Sequence, residues 1–336
     1  MGLGRTMVVN IGYIEAPKGD KWKVGGGNAY RKSLLSLESD NFDLESMGIL
    51  FNKNGNKILQ GFKTLSNLLY FKGQKDIWIR DYLSTLTLPF DRTLGKNIAI
   101  VHHLDSNYLS YPLICKSMDK LYYSNLKSVD LLVVVSNYWK EHFESYVDNI
   151  KIIYNCFNMN DFQFTKEEIM EFKQKYNLLD KPIIYLGNCQ KSKGVIEAYN
   201  ELKSMDAYLV TSGQKRVDIP AINLDLNYRD YLRLLKASSV VVTMSLFNEG
   251  WCRTAHEAML CKTPVVGSGN GGMRELLEGG KQIICENFLD LQKNVEYLLE
   301  SPENGKYGFN YASQKRFTQE CFQKEWIDSF LEVGSY

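Results

Sequence analysis

Between Ser239 and Gly272 the chain reads as strand, loop, helix and strand in immediate succession, an order that few folds accept. The apolar run SSVVVTM, with Ser239 to Met244 at its core, is a buried strand. A helix begins near Trp251 to Arg253 and runs to Cys261, because Ala255, Glu257, Ala258, Met259 and Leu260 are good formers and Pro264 forbids continuation. A second strand, Val265 to Gly267, ends in the loop Ser268-Gly269-Asn270-Gly271-Gly272, and a further helix starts near Met273. Glu249 then precedes the first helix and Glu257 lies about two turns along it, at ~1.5 Å rise per residue. Both carboxylates can face one pocket at different depths. Gly250 lets the backbone approach a ligand, and the open N–H groups of the first turn suit a phosphate or a sugar hydroxyl. On spacing alone a plainer reading stands beside this one: Glu249 complements a helix dipole, and Glu257 sits on the surface with His256.

The rest of the chain repeats the alternation. In the first half, strands are expected at Met7–Ile11, Ile77–Arg80, Ile98–Val101 and Asp130–Ser136, with helices at Ala29–Leu37 and near Asn137–Tyr146. The second half restarts with a helix, Lys166–Tyr176, then a strand, Pro182–Leu186, that runs into Gly187-Asn188-Cys189-Gln190-Lys191-Ser192-Lys193-Gly194 and a helix from Val195. A strand at Ala207–Thr211 and a short helix at Tyr231–Ala237 follow. Alternation of this kind argues for α/β architecture with parallel, doubly wound sheets. At 336 residues, 44% of them hydrophobic and 24% charged, the chain suits two globular domains.

Composition closes several routes. A net charge of +1 gives no overall argument for nucleic acid or membrane, and nucleic acid is not an expected partner. No run of 18 apolar residues and no signal-peptide pattern occurs, so a cytoplasmic protein is expected. The seven cysteines, Cys115, Cys156, Cys189, Cys252, Cys261, Cys285 and Cys321, are scattered without Cys-x-x-Cys pairs and support neither a zinc site nor a disulfide framework. Residues 46–75 hold Lys53, Lys57, Lys63, Lys72 and Lys75 with no acid, interleaved with Phe51, Phe62, Leu65, Leu69, Tyr70 and Phe71. Such a stretch holds an anionic acceptor or leans on an acidic membrane surface, or else is a solvated face over a core stripe.

Two further places carry possible chemistry. Gly25-Gly26-Gly27-Asn28 lies between a strand and a helix, where a phosphate meets a helix N-terminus, although the loop is too long for a dinucleotide fingerprint. His102-His103 closes a strand at the carboxyl edge of an open sheet, where ligands bind.

The segments Glu-Gly-Trp-Cys-Arg-Thr, His-Glu-Ala-Met-Leu-Cys-Lys-Thr-Pro-Val-Val-Gly and Gly-Gly-Met-Arg-Glu-Leu-Leu resemble, in that order, the donor-site signature of retaining glycosyltransferases of the GT-B fold, specifically glycosyltransferase family 4. Lys151 to Phe162 is similar to the end of that family's first domain, and residues 311–330 to its last helix. The resemblance implies two Rossmann-like domains whose parallel sheets face each other across a cleft: an acceptor-side domain over 1–162, a nucleotide-sugar domain over 163–310, and a C-terminal helix, 311–336, crossing back to the first. It implies a hexosyltransferase-type enzyme that moves a sugar from a UDP- or GDP-sugar to a lipid, glycan or protein acceptor.

By the same resemblance, Gly26 and Gly27 lie near the donor phosphates and the acceptor, and a histidine, best matched by His102, lies close to the transferred sugar. His103 stands where many relatives have aspartate. Glu249 binds hydroxyls of the sugar and Glu257 those of the ribose, with Gly250 and Trp251 in the same donor loop. Lys193 grips the diphosphate, helped by N–H groups near Gly271 and Gly272. Asn188 occupies the place of an expected arginine, a charge for which Lys191 or Arg253 is a substitute. No Asp-x-Asp motif is present, so no metal and no cofactor beyond the donor itself is expected. A nucleotide-sugar-binding protein with little turnover, and a GT-B epimerase or phosphorylase, are the alternatives.

Overall fold

The structure is a computed structural model, and it describes residues 8–15, 26–48, 57–104 and 112–334. The chain divides into two compact units, residues 1–156 with 319–336, and residues 157–318. The break therefore lies at Cys156–Phe157 rather than after Phe162, and the return to the first unit begins at Gln319 rather than near Tyr311.

The first unit is built on six strands: β1 Val9–Glu15, β2 Phe42–Gly48, β3 Lys72–Arg80, β4 Arg92–Val101, β5 Leu131–Val134 and β6 Ile150–Ile152. They pair in the order β2-β1-β3-β4-β5-β6, all parallel. Its helices are α1 Gly26–Leu35, α2 Lys57–Leu69, α3 Tyr82–Leu86, α4 Pro112–Asn125 and α5 Asn137–Phe143. Continuous apolar runs such as Leu131–Val134 are buried on both faces, as a parallel sheet between helices requires. β3 and β4 begin at Lys72 and Arg92, well before the apolar runs at Ile77 and Ile98; the first residues of β3 alternate between exposed and half-buried, and those of β4 are all exposed or half-buried. Below them lies a buried ion pair: Arg80 Nη1 donates to Asp91 Oδ2 at 2.7 Å, and the guanidinium also reaches Asn97 Oδ1, the Ser84 carbonyl and Thr93 Oγ1.

The second unit repeats the plan with β7 Ile183–Asn188, β8 Tyr208–Ser212, β9 Ile222–Leu224, β10 Val240–Thr243, β11 Val265–Gly267 and β12 Ile283–Ile284, in the order β12-β11-β10-β7-β8-β9. Its helices are α6 Lys166–Lys175, α7 Val195–Leu202, α8 Tyr228–Ala237, α9 Arg253–Leu260, α10 Met273–Gly279, α11 Leu291–Glu300 and α12 Asn304–Ala312. Thr165 caps α6 in a reciprocal capping box with Glu168, which fixes the start of that helix. One core gathers Val195, Ala198 and Leu202 of α7, Val240 and Val242 of β10, and Val295 and Leu298 of α11.

The last helix, α13 Gln319–Gly334, belongs to the first unit. Its Phe322 and Trp326 pack edge-on against Tyr30 of α1, and Phe330 against Phe42 of β2. The expected continuous helix over 311–330 is instead interrupted between Ala312 and Gln319, and Phe317 is buried in the second unit. Of the lysine-rich stretch, Phe51 and Lys53 lie outside the described residues. Lys63 and Lys72 are exposed, and Lys75 is paired with Glu45 at 2.9 Å. Among the described residues, no helix is long and apolar enough to cross a membrane.

Candidate functional site

In the second sheet the strand order reverses between β7 and β10, where an open parallel sheet leaves a crevice at its carboxyl edge. The loop leaving β7 carries Asn188 and Lys193, the loop leaving β10 carries Ser245 and Glu249, and these four side chains line one pocket with Cys252 and Thr254. Lys193 Nζ donates to Glu249 Oε1 at 2.5 Å, and Ser245 Oγ donates to the same oxygen at 2.6 Å. Burial alone pulls the Lys193 ammonium toward neutrality, but the adjacent carboxylate outweighs it and holds the pKa above the ordinary lysine value. Lys193 also lies over the Phe247 ring at 4.7 Å.

Two glycines hold these loops together. Gly194, at φ +67°, has no room for a side chain: a Cβ there would stand 2.2 Å from the Met244 carbonyl oxygen, so the Lys193 loop lies directly on the end of β10. Gly271, at φ +65°, would place a Cβ 2.5 Å from the Glu249 carbonyl oxygen. Across that contact Gly272 N–H donates to Glu249 O at 2.8 Å and Glu249 N–H to Asn270 O at 3.2 Å. Asn270 Nδ2 and Ser268 Oγ both donate to the Ser245 carbonyl. The carboxylate of Glu249 is thus carried on a backbone bridge, and the Gly272 N–H expected to face the diphosphate is already committed to Glu249.

Glu257 is buried one turn beyond Thr254, with a side chain only 5% exposed. Its Oε1 accepts from Arg253 Nη2 at 3.0 Å and from the Tyr228 hydroxyl at 3.2 Å. Burial, then the charge of Glu257, pushes the Tyr228 phenol far above its usual range. The plainer reading of Glu257 as a surface residue is therefore wrong, since it is 4% exposed, and Glu249 is buried as well at 7%.

His256 is equally buried. Its Nδ1 accepts from the Trp251 indole at 2.9 Å, its Nε2–H donates to the Ala312 carbonyl at 3.0 Å, and its ring stacks on Phe157 at 4.1 Å. Desolvation lowers its pKa to about 3, so the ring is neutral. Trp251, placed by sequence in the donor loop, turns its side chain into this core instead, where the indole N–H finds an acceptor.

The two substitutes for a missing arginine differ. Arg253 lies over the Phe157 ring at 4.3 Å and is neutralised by Glu257, whereas Lys191 is exposed. Asn188 Oδ1 accepts from Ser212 Oγ at 3.2 Å, and Ser212 in turn bonds the buried Tyr185 hydroxyl at 2.7 Å. Tyr228, Ser245 and Ser212 are the residues that sequence reasoning passes over. Each touches a group it identifies, but only through the fold, and a lone Ser or Tyr carries no local signal.

In the first unit, Gly26 and Gly27 open α1 rather than preceding it, and Gly25 lies outside the described residues. A Cβ on Gly27 would stand 3.3 Å from His102 Cδ2, so the ring packs over the first turn of α1 while His103 is exposed. Tyr30 meets His102 in a T-shaped contact, at 4.9 Å between ring centres, and its hydroxyl is anchored on Ile153 O at 3.1 Å. Among the described residues, no group of three or more His, Cys, Asp or Glu side chains is arranged to hold a metal ion.

Residues 166–315 match the sequence model of the family described as Glycosyl transferases group 1. No curated protein sequence matches the chain. Solved structures do. Sucrose-phosphate synthase from Thermosynechococcus elongatus is similar at a TM-score of 0.77 and 16% identity, over 97% of this chain and 99% of that one. The HepE protein of Anabaena, in complex with UDP-glucose, is similar at 0.73 and 14% identity, over 97% and 100%. A glycosyltransferase from Rickettsia africae is similar at 0.66 and 17% identity, over 97% and 98%. The chain has the GT-B fold, and its residues 166–315 are similar in sequence to the group 1 glycosyl transferases.

Proposed function

We propose that this chain is a retaining, metal-independent glycosyltransferase that moves a sugar from a UDP- or GDP-sugar to a lipid, glycan or protein acceptor. The observation that carries the reading is the contact between Lys193 and Glu249, one cation and one carboxylate delivered to a single pocket at the reversal point of the second sheet. Breaking a glycosyl–phosphate bond builds negative charge on the departing diphosphate. Lys193 offsets that charge from a fixed position, without reorganisation at the moment of reaction. Glu249 accepts hydrogen bonds from hydroxyls of the transferred sugar, and its bond to Lys193 links the sugar end of the site to the phosphate end. Glu257 has one oxygen engaged by Arg253 and Tyr228, which leaves the other for the ribose hydroxyls. The donor phosphate takes the proton of the acceptor hydroxyl, and neither glutamate acts as a glycosidase-type nucleophile. His102 and the first turn of α1 serve the acceptor side. Exposed Lys63 and Lys72 give a peripheral contact for an anionic membrane or acceptor. The HepE complex with UDP-glucose favours a uridine donor.

A thermal-shift panel of UDP, GDP, ADP and their sugars, with and without EDTA, tests the reading. A nucleotide at 100 times its dissociation constant stabilises the fold by about 2.7 kcal/mol. One nucleotide series should stand out and be indifferent to EDTA, and the matching donor should be turned over with the anomeric configuration kept. Stabilisation without turnover selects a nucleotide-sugar-binding protein, the reading that Asn188 favours. No stabilisation by any nucleotide removes both.

A further inference from the structure

We propose that Arg216 is a diphosphate-binding residue of this site, supplying the positive charge that the pocket lining lacks; the inference rests on the nucleotide-sugar reading above. The charges argue for it. Lys193 is cancelled by Glu249 and Arg253 by Glu257, so the described side chains that build the site sum to zero while the donor brings two ionised phosphates. The loops leaving β7, β8 and β10 carry four cations in all: Lys191, Lys193, Lys215 and Arg216. Lys215 is paired with Asp218 at 2.7 Å. Arg216 is exposed and, among the described residues, makes neither an ion pair nor a side-chain hydrogen bond.

Its backbone is not loose. Arg216 N–H donates to the Cys189 carbonyl at 2.9 Å, and Cys189 Sγ donates to Val217 O at 3.5 Å, which ties the loop after β8 to the residue following Asn188. Gly213, at φ +76°, turns that loop beside the Asn188 side chain, and its N–H and carbonyl are held by Leu224 O and Asn223 Nδ2. A guanidinium on a fixed backbone next to Asn188 suits two-point recognition of a phosphate, which neither the amide of Asn188 nor a lysine provides. Lys191 is the rival cation, on the neighbouring loop.

The test compares the wild type with Arg216→Ala, Arg216→Lys, Lys191→Ala and Lys193→Ala by calorimetric titration of UDP, GDP and ADP and of their parent nucleosides, at low and moderate salt. Arg216→Ala should bind the preferred diphosphate about tenfold or more weakly, leave the nucleoside's affinity unchanged, and flatten the salt dependence. Arg216→Lys should restore part of the loss. Unchanged diphosphate affinity in Arg216→Ala, with a loss in Lys193→Ala or Lys191→Ala, overturns the assignment while keeping the site. A wild type that binds no diphosphate removes the reading on which the assignment rests. An equal loss for nucleoside and diphosphate shows a structural effect on the loop and also overturns it.

Discussion

Replacing Gly271 by alanine should separate two costs that the backbone combines at this position. The added Cβ would stand 2.5 Å from the Glu249 carbonyl oxygen, 2.8 Å from its nitrogen and 2.9 Å from the Asn248 carbonyl carbon, all main-chain atoms that cannot rotate away. Ordinary contact begins near 3.4 Å, so the two loops must part by ~0.9 Å. That movement breaks the bonds from Gly272 N–H to Glu249 O and from Glu249 N–H to Asn270 O, each contributing about 1 kcal/mol net. Forcing a residue with a side chain into the left-handed region adds about 1–2 kcal/mol. The total is about 3–4 kcal/mol. Gly269→Ala is the internal control: it has the same sign of φ, at +70°, but meets side-chain atoms of Ile284, at 2.9 Å, and Arg274 rather than main chain, so the conformational cost should appear with only a small side-chain adjustment. Urea unfolding followed by tryptophan fluorescence should place the two variants about 2 kcal/mol apart, with Gly271→Ala the weaker. Agreement between them to within about 0.5 kcal/mol, the scatter of independent substitutions, would refute the argument that close packing on Glu249 decides this loop.

Three further outcomes follow from the same geometry. Glu249→Gln should lower turnover about a hundredfold with little change in nucleotide affinity, whereas Lys193→Ala and Glu257→Ala should weaken nucleotide binding itself; normal binding and turnover in all three would discard the site. His256 titrates near 6.5 when unfolded and near 3 when folded, so the unfolded state takes up its proton first and stability falls as pH drops below about 6.5. By pH 5 the loss is about 2 kcal/mol, and His256→Phe should lose that part of the pH slope in urea titrations at several pH values. Arg80→Met leaves Asp91 buried without its partner and should cost about 3–5 kcal/mol in the same assay; a cost under about 1 kcal/mol would mean that water or a neighbour replaces the guanidinium.

What the sequence makes legible is what local pattern encodes. The α/β alternation, the strands at β7, β10 and β11 and the span of α9 rest on apolar runs closed by Gly and Pro, and the structure agrees with them to within a residue or two. The resemblance likewise leads to the GT-B fold. Other features come only from tertiary contact. Lys193 and Glu249 meet although 56 residues apart in sequence, through a strand order that no local window contains. Trp251 reads as a ligand contact by its position in the loop, and turns inward because His256 offers a buried acceptor. Gly26 and Gly27 read as a loop because glycine disfavours helix, yet they open one, and at Gly27 the His102 ring leaves little room for a side chain. The extended starts of β3 and β4 hold no apolar run and are exposed or half-buried, so a search for apolar runs passes over them.

The return of α13 to the first unit has a consequence for the order of events during synthesis. Tyr30 and Phe42 are made early, but the aromatic rings that cover them, Phe322, Trp326 and Phe330, leave the ribosome after the whole of residues 157–318. At the usual ~5–20 residues per second, the second unit is available to fold while the first still exposes an apolar seam. A nascent chain halted before Gln319 should therefore hold a protease-resistant second unit beside a first unit that remains open to cleavage.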